Sequence, residues 1–214
     1  MSESRDIQYK CPYCGKEFTI TVYDSVNSEQ DPDLRERCLS GDIFRHSCPH
    51  CHKDFMIQNP LLYMDPKHKF VIWVNESDNI TGLSHLVEPL RKAGYTLRRC
   101  PTVSKFIEKI TVLEDEVNDV MVELAKYDSF IEFIDNRKGN PQDVTAVSYE
   151  YTKDDIMKIT IHADDKSMSF LIPVSALEEE IRAEKDLYRI EDKDFPCVDD
   201  AWILSLFQKK DLKS

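Results

Sequence analysis

The apolar residues of this chain recur with two different periods, and the order of those periods predicts an α+β protein. Phe18, Ile20 and Val22 alternate with polar neighbours within Glu17–Val26, the pattern of a half-buried strand. Asp31-Pro32 then predicts a helix start, with Asp at the N-cap and Pro at the first helical position. Leu34 and Cys38 share one face of that helix, and Gly41 closes it. Ile43–His46, Phe55–Ile57 and the run Phe70-Val71-Ile72-Trp73-Val74 predict further strands, with Asp65-Pro66 marking a turn.

Past these strands the period lengthens. Ser84–Ala93 predicts a short helix ended by Gly94, followed by a strand over Tyr95–Arg99. Leu113, Val117, Val120, Leu124, Tyr127, Ile131 and Ile134 keep a heptad spacing, and Thr111 to Glu114 has the spacing of a capping box. One amphipathic helix over 111–134 follows. It packs on its own domain in the simpler reading and forms a homodimer seam in the sharper one. Asp135 to Gln142, dense in Asn, Gly and Pro, reads as a linker.

Three alternating runs come next: Val147/Tyr149/Tyr151, Met157/Ile159/Ile161 and Met168/Phe170/Ile172. Their short polar turns predict an antiparallel meander with one wet face. Ser175 to Glu178 has capping-box spacing for a helix through about Lys185, and Asp199 or Asp200 caps a last helix carrying Trp202, Ile203, Leu204, Leu206 and Phe207. That helix docks on the sheet or, alternatively, on a second copy. The predicted organisation is a first region over 1–134, a linker at 135–142, and a small α+β unit over 143–214.

Charge narrows the partners. The chain of 214 residues carries 28 Lys/Arg against 40 Asp/Glu, a net −12, which disfavours nucleic acid as a partner. Residues 1–74 hold nine basic and eleven acidic side chains, so most of the negative excess lies beyond them. No apolar run has the roughly 20 residues of a membrane span. Met1–Lys10 is polar and lacks the apolar stretch of a signal peptide, so the expectation is a cytoplasmic protein with reduced thiols.

Those thiols supply the strongest chemical signal. Cys11-Pro-Tyr-Cys14-Gly15 and Cys48-Pro-His-Cys51-His52 are two C-x-x-C turns, and two such turns complete the tetrahedron that Zn²⁺ accepts at about 2.3 Å Zn–S. Four protein thiolates leave no corner for substrate, so one structural Zn²⁺ is expected at Cys11, Cys14, Cys48 and Cys51. Proline starts each turn. Gly15 suits a left-handed backbone, and His52, in the matching place, belongs to the few other residue types that tolerate it. His50 or His52 remains an alternative ligand in place of one cysteine. A disulfide pair needs an oxidising compartment, and a thioredoxin-like motif needs a single C-x-x-C before a helix. Cys38, Cys100 and Cys197 read as small buried groups.

The two Cys-Pro-x-Cys turns, their 33-residue spacer, Leu61-Leu62-Tyr63-Met64-Asp65-Pro66 and Phe106-Ile107-Glu108-Lys109-Ile110 together resemble the bacterial CpXC-domain family over Tyr9 to about Ile134. The resemblance implies zinc binding at the same four cysteines and no catalytic residue. His52 departs from the glycine expected at its position.

The sequence offers nothing that assembles a reaction. With five glycines it has no phosphate-binding loop, no GxSxG and no HExxH, and His46, His50, His52, His68, His85 and His162 share no motif. Glu114, Asp115, Glu116, Asp119 and Glu123 read as a solvated acidic face. A non-enzymatic protein-interaction module is therefore expected, with an unidentified protein partner. The alternative is a nucleic-acid or transcription accessory that uses the 91–109 stretch. There Arg91, Lys92, Arg98, Arg99, Lys105 and Lys109 would meet phosphates while Tyr95 and Phe106 stack bases.

Overall fold

A computed structural model of the chain describes residues 2–80, 82–136, 138–152, 154–164 and 166–211. The chain divides into two units, Met1–Glu114 with Asp192–Cys197, and Asp115–Glu191 with Val198–Ser214.

The first unit is built on β1 (Glu3–Lys10), β2 (Glu17–Asn27), β5 (Leu61–Asp65), β6 (Phe70–Val74) and β7 (Thr96–Cys100), ordered β1-β2-β5-β6-β7. β1 and β2 form an antiparallel hairpin, and the far end of β2 runs parallel to β5. β6 is antiparallel to β5 and parallel to β7, the connection to β7 passing through helix α2 (Ser84–Lys92). A second hairpin, β3 (Arg45–Ser47) with β4 (Asp54–Met56), forms its own two-stranded sheet.

The uninterrupted apolar run of β6 now has a cause. Phe70, Ile72 and Val74 enter a core with Val26, Cys38, Phe44, Tyr63, Phe106 and Ile110, on the side of α1 (Pro32–Leu39) and α3 (Val103–Glu114). Val71 and Trp73 enter a second core with Val87 of α2, Leu97 and Phe195. All five residues are buried, and a strand covered on both faces cannot alternate.

The second unit holds α4 (Asp119–Asp135), the meander β8 (Val144–Tyr151), β9 (Ile156–Ala163) and β10 (Lys166–Pro173), then α5 (Val174–Ala183) and α6 (Asp200–Asp211). β9 is the central strand, antiparallel to both neighbours, and Met157, Ile159 and Ile161 point from it into the core with no exposure. The alternating pattern thus has the predicted meander and the predicted wet face. Tyr127 of α4 stacks flat on Phe207 of α6 at 4.3 Å between ring centroids. Asp199 caps α6 by accepting from the Trp202 N–H at 3.0 Å.

Three expectations about the helices change. The single helix over 111–134 is two: α3 stops at Glu114, Glu116 takes φ 57°, and Asn118 restarts the helix by accepting from the Val120 N–H at 3.0 Å. Thr111 is therefore inside α3, where its hydroxyl donates back to the Ile107 carbonyl, and it caps nothing. Ser175 likewise caps nothing, since its hydroxyl donates to Asp155 at 2.7 Å.

The division of the chain accordingly falls between Glu114 and Asp115, and not at 135–142. Apart from Arg137, which lies outside the described residues, that stretch leads from the end of α4 through a short turn into a single 3-10 turn at Pro141–Asp143, within the second unit. Gly139 N–H donates to the Phe133 carbonyl at 2.8 Å, and Asn140 accepts from the Gln142 N–H at 3.1 Å. Glycine and asparagine here serve a turn packed against Phe133, chemistry that a linker shares in sequence.

Candidate metal centre

Each C-x-x-C turn sits at the tip of a hairpin. Lys10 and Glu17 pair across the base of the first turn, and Ser47 and Asp54 across the base of the second. The two tips repeat one backbone pattern. Cys11 N–H donates to the Lys16 carbonyl (2.9 Å) and Gly15 N–H to the Cys11 carbonyl (3.0 Å). Cys48 N–H donates to Lys53 (3.1 Å) and His52 N–H to Cys48 (2.9 Å). Gly15 has φ 71° and His52 has φ 57°, so both take the left-handed backbone expected of them.

This geometry turns the sulfurs inward. Cys11 and Cys51 Sγ lie 3.7 Å apart, as do Cys14 and Cys48 Sγ, and all four fall within 4.8 Å of one another. A tetrahedron with Zn–S near 2.3 Å has edges of about 3.8 Å, so the spacing fits an ion at its centre. Cys11 and Cys48 are buried, Cys51 is half-buried and Cys14 is exposed. The Tyr13 and His50 N–H groups donate to the Cys11 and Cys48 sulfurs, each at 3.4 Å.

Without a cation, Cys11 and Cys51 hold their protons unequally. Burial opposes ionisation of Cys11, but the backbone N–H groups of Cys14 and Tyr13 and the neighbouring thiols outweigh it and lower its pKa to about 6. At Cys51 the backbone at Lys53 favours the thiolate, while burial and the other three sulfurs oppose it more strongly, and its pKa rises to about 11. A divalent cation removes that conflict by taking all four sulfurs as thiolates.

Beneath the cluster lies a small aromatic floor. Cys11, Cys48 and Phe55 are packed with Tyr9, Phe18 and Ile57, and Tyr9 stacks on Phe55 at 5.2 Å. The rings of His50 and Phe18 meet in a T-shaped arrangement at 6.4 Å between centroids. His46 stacks on Phe55 at 6.0 Å, and burial, then the charge of Arg37, lower its pKa. Among the described residues, the group that converges here is the four cysteines. Of the other thiols, Cys38 is fully buried and burial pushes its pKa up to about 12, so it is an unreactive core group.

The remaining candidates are placed differently. Phe106 is fully buried and cannot stack a base, and the Lys69 ammonium covers the Tyr95 ring at 4.8 Å. Arg91 donates to the Lys193 carbonyl and lies 3.4 Å from Asp192, while Arg99 donates to the carbonyls of Asn75 and Glu76. Lys109 is buried. The predicted acidic face is not one solvated surface either. Asp119 and Glu123 are buried, and Glu114 is clamped by Arg35, with Nε to Oε1 at 2.8 Å and Nη2 to Oε2 at 2.5 Å. A periodic pattern of carboxylates shows which residues share a helix side, but not whether that side is covered.

A second convergence escaped the sequence reading. Asp65, His68 and Glu114 bring one ligand atom each within 4.8 Å of one another. Asp65-Pro66 announces only a turn, and nothing local ties it to Glu114.

The fold and the four-sulfur cluster define a mixed α+β chain whose hairpin-borne knuckles bring four cysteines together in a site fit to hold a metal ion. The chain belongs to the CpXC family, the CpXC protein model matching residues 9–126. No curated protein and no solved structure matches it. Among the described residues no helix is long and apolar enough to cross a membrane.

Proposed function

We propose that this chain is a zinc-binding protein of the reducing cytoplasm and that its metal-locked ribbon is a non-catalytic protein-interaction module. The observation that carries the reading is the sulfur tetrahedron, whose four corners are all protein thiolates. Zinc held this way has no open position for water or substrate, so it contributes folding energy and shape. Little else holds the knuckles: the ribbon's own apolar cluster has three buried members, two of them the ligands Cys11 and Cys48. Metal binding worth about 10 kcal/mol or more makes the ribbon conditional on zinc.

The contact surface follows from what the metal presents. Tyr13 and Met56, 55% and 54% exposed, are the large apolar side chains that the two ribbon hairpins leave in solvent. Tyrosine and methionine are enriched at protein interfaces. Affinity purification of the zinc-loaded protein, with and without nuclease, tests the reading. A stoichiometric protein partner that survives nuclease and is lost in Tyr13→Ala/Met56→Ser, at unchanged zinc content, is expected. Recovery that vanishes with nuclease would replace this reading with the nucleic-acid one.

A further inference from the structure

The side chains of Asp65, His68 and Glu114 form a polar cluster inside the first unit, built from three elements. Asp65 ends β5, His68 lies in the turn before β6, and Glu114 ends α3. Asp65 has 1% exposure, so its carboxylate is held out of water by the fold. Its Oδ1 accepts from the His68 N–H at 2.9 Å, and its Oδ2 lies 3.1 Å from His68 Nδ1. That second distance suits a hydrogen bond. It also suits two neighbouring ligands on one ion, which at about 2.1 Å from the metal stand roughly 3.0–3.4 Å apart.

Each of the three groups is held in place. His68 lies over the Phe70 ring at 6.4 Å with a 20° tilt. The Arg35 fork fixes the plane of Glu114 and leaves each oxygen a further lone pair. Metal-binding carboxylates are ordinarily oriented by such hydrogen bonds.

The independent observation is Tyr63. Its side chain has no exposure, and its hydroxyl has no hydrogen-bond partner. Tyr63 stands two residues before Asp65 on the same buried face of β5, and its ring stacks on Phe70 at 6.0 Å, the ring that His68 also covers. Ser28 stands nearby but outside hydrogen-bonding geometry. A buried hydroxyl left without a partner is costly, and such an orphan marks a place where a water or an ion belongs.

We propose that Asp65, His68 and Glu114 are a second metal site, for a divalent first-row cation such as Zn²⁺ or Mn²⁺, beside which the Tyr63 hydroxyl gains its partner. One imidazole with two carboxylates is a donor set for this class of ion, and its lack of thiolate separates it chemically from the four-cysteine centre. The site differs from that centre in every residue, so either can fail without the other.

The test starts from dialysed full-length protein carrying its tightly bound zinc. It is titrated with Mn²⁺, read by loss of the free-ion EPR signal, and separately with Zn²⁺ against a chromophoric chelator. One further saturable equivalent of either ion is expected. His68→Gln should weaken it at least tenfold while the cysteine-bound zinc stays. Tyr63→Phe keeps the core volume. It should raise the melting temperature before the second ion is added and weaken that ion's binding. No further saturable equivalent of either ion, or one that His68→Gln leaves unchanged, overturns the assignment. A Tyr63→Phe protein that melts lower and binds the ion as well as the parent overturns it too.

Discussion

His52 occupies in the second knuckle the place that Gly15 occupies in the first. Both residues are left-handed, at φ 57° and φ 71°, and both donate their N–H to the carbonyl of the first cysteine of their turn. The constraint is backbone conformation and not space, because a Cβ on Gly15 would meet only the tip of Lys10, at 3.8 Å.

The cost of changing these residues should therefore follow φ alone. Gly15→Val and His52→Val should each destabilise the metal-loaded first unit by about 1–2 kcal/mol, because β-branched residues resist positive φ. His52→Asn should be neutral within about 0.5 kcal/mol, since Asn tolerates this region. Urea denaturation of zinc-loaded protein measures all three. Equal effects of Val and Asn at position 52 would contradict the account.

Metal binding should expel protons and weaken on acidification. In the metal-free cluster Cys11 ionises near pH 6, whereas Cys51 keeps its proton up to about pH 11. At pH 7 the ion must displace at least the Cys51 proton, so affinity rises with pH across that window. Calorimetry in buffers of different ionisation enthalpy reads the proton count directly. A count of zero at pH 7 would be incompatible with the sulfur cluster as ligand set.

The turn at Gly139 is packed, and substitution should show it. A Cβ there would stand 2.3 Å from the Phe133 ring, which is itself buried. Gly139→Ala should cost the second unit about 1–3 kcal/mol, the range for overpacking. A flexible linker at the same place would accept alanine without loss, so an unchanged melting curve would restore the linker reading.

Asp128 gives the second unit a pH dependence of known sign. Burial, then the charge of Glu180, raises its pKa from 3.8 to about 6. The folded form holds the proton more tightly than the unfolded one, so stability falls as pH rises from about 4 to 6 and stays lower above that. Solvent around its exposed part keeps the effect below about 1 kcal/mol. Asp128→Asn should raise the melting temperature at pH 7.5 and leave it nearly unchanged at pH 4. The reverse pattern would refute the sign.

What could be read from the sequence was what is local. Cys-Pro-x-Cys fixes a turn by itself, so both knuckles, the φ of Gly15 and His52, and the four ligand candidates were legible. Alternation made the meander legible for the same reason. The break at Glu116 was not, because the heptad spacing from Leu113 to Leu124 continues through it while the backbone reverses hand for one residue. The buried state of Asp119 and Glu123 and the meeting of Asp65 with Glu114 depend on packing between distant segments. Spacing along one helix carries no information about either.

The measurement closest to the central claim is the zinc content of the purified, dialysed protein, read with thermal melting for the parent and for the Cys11→Ser/Cys48→Ser variant. The account predicts one tightly held zinc per chain in the parent, and its loss together with collapse of the ribbon in the variant. A double variant that melts like the parent and loses no zinc would contradict it.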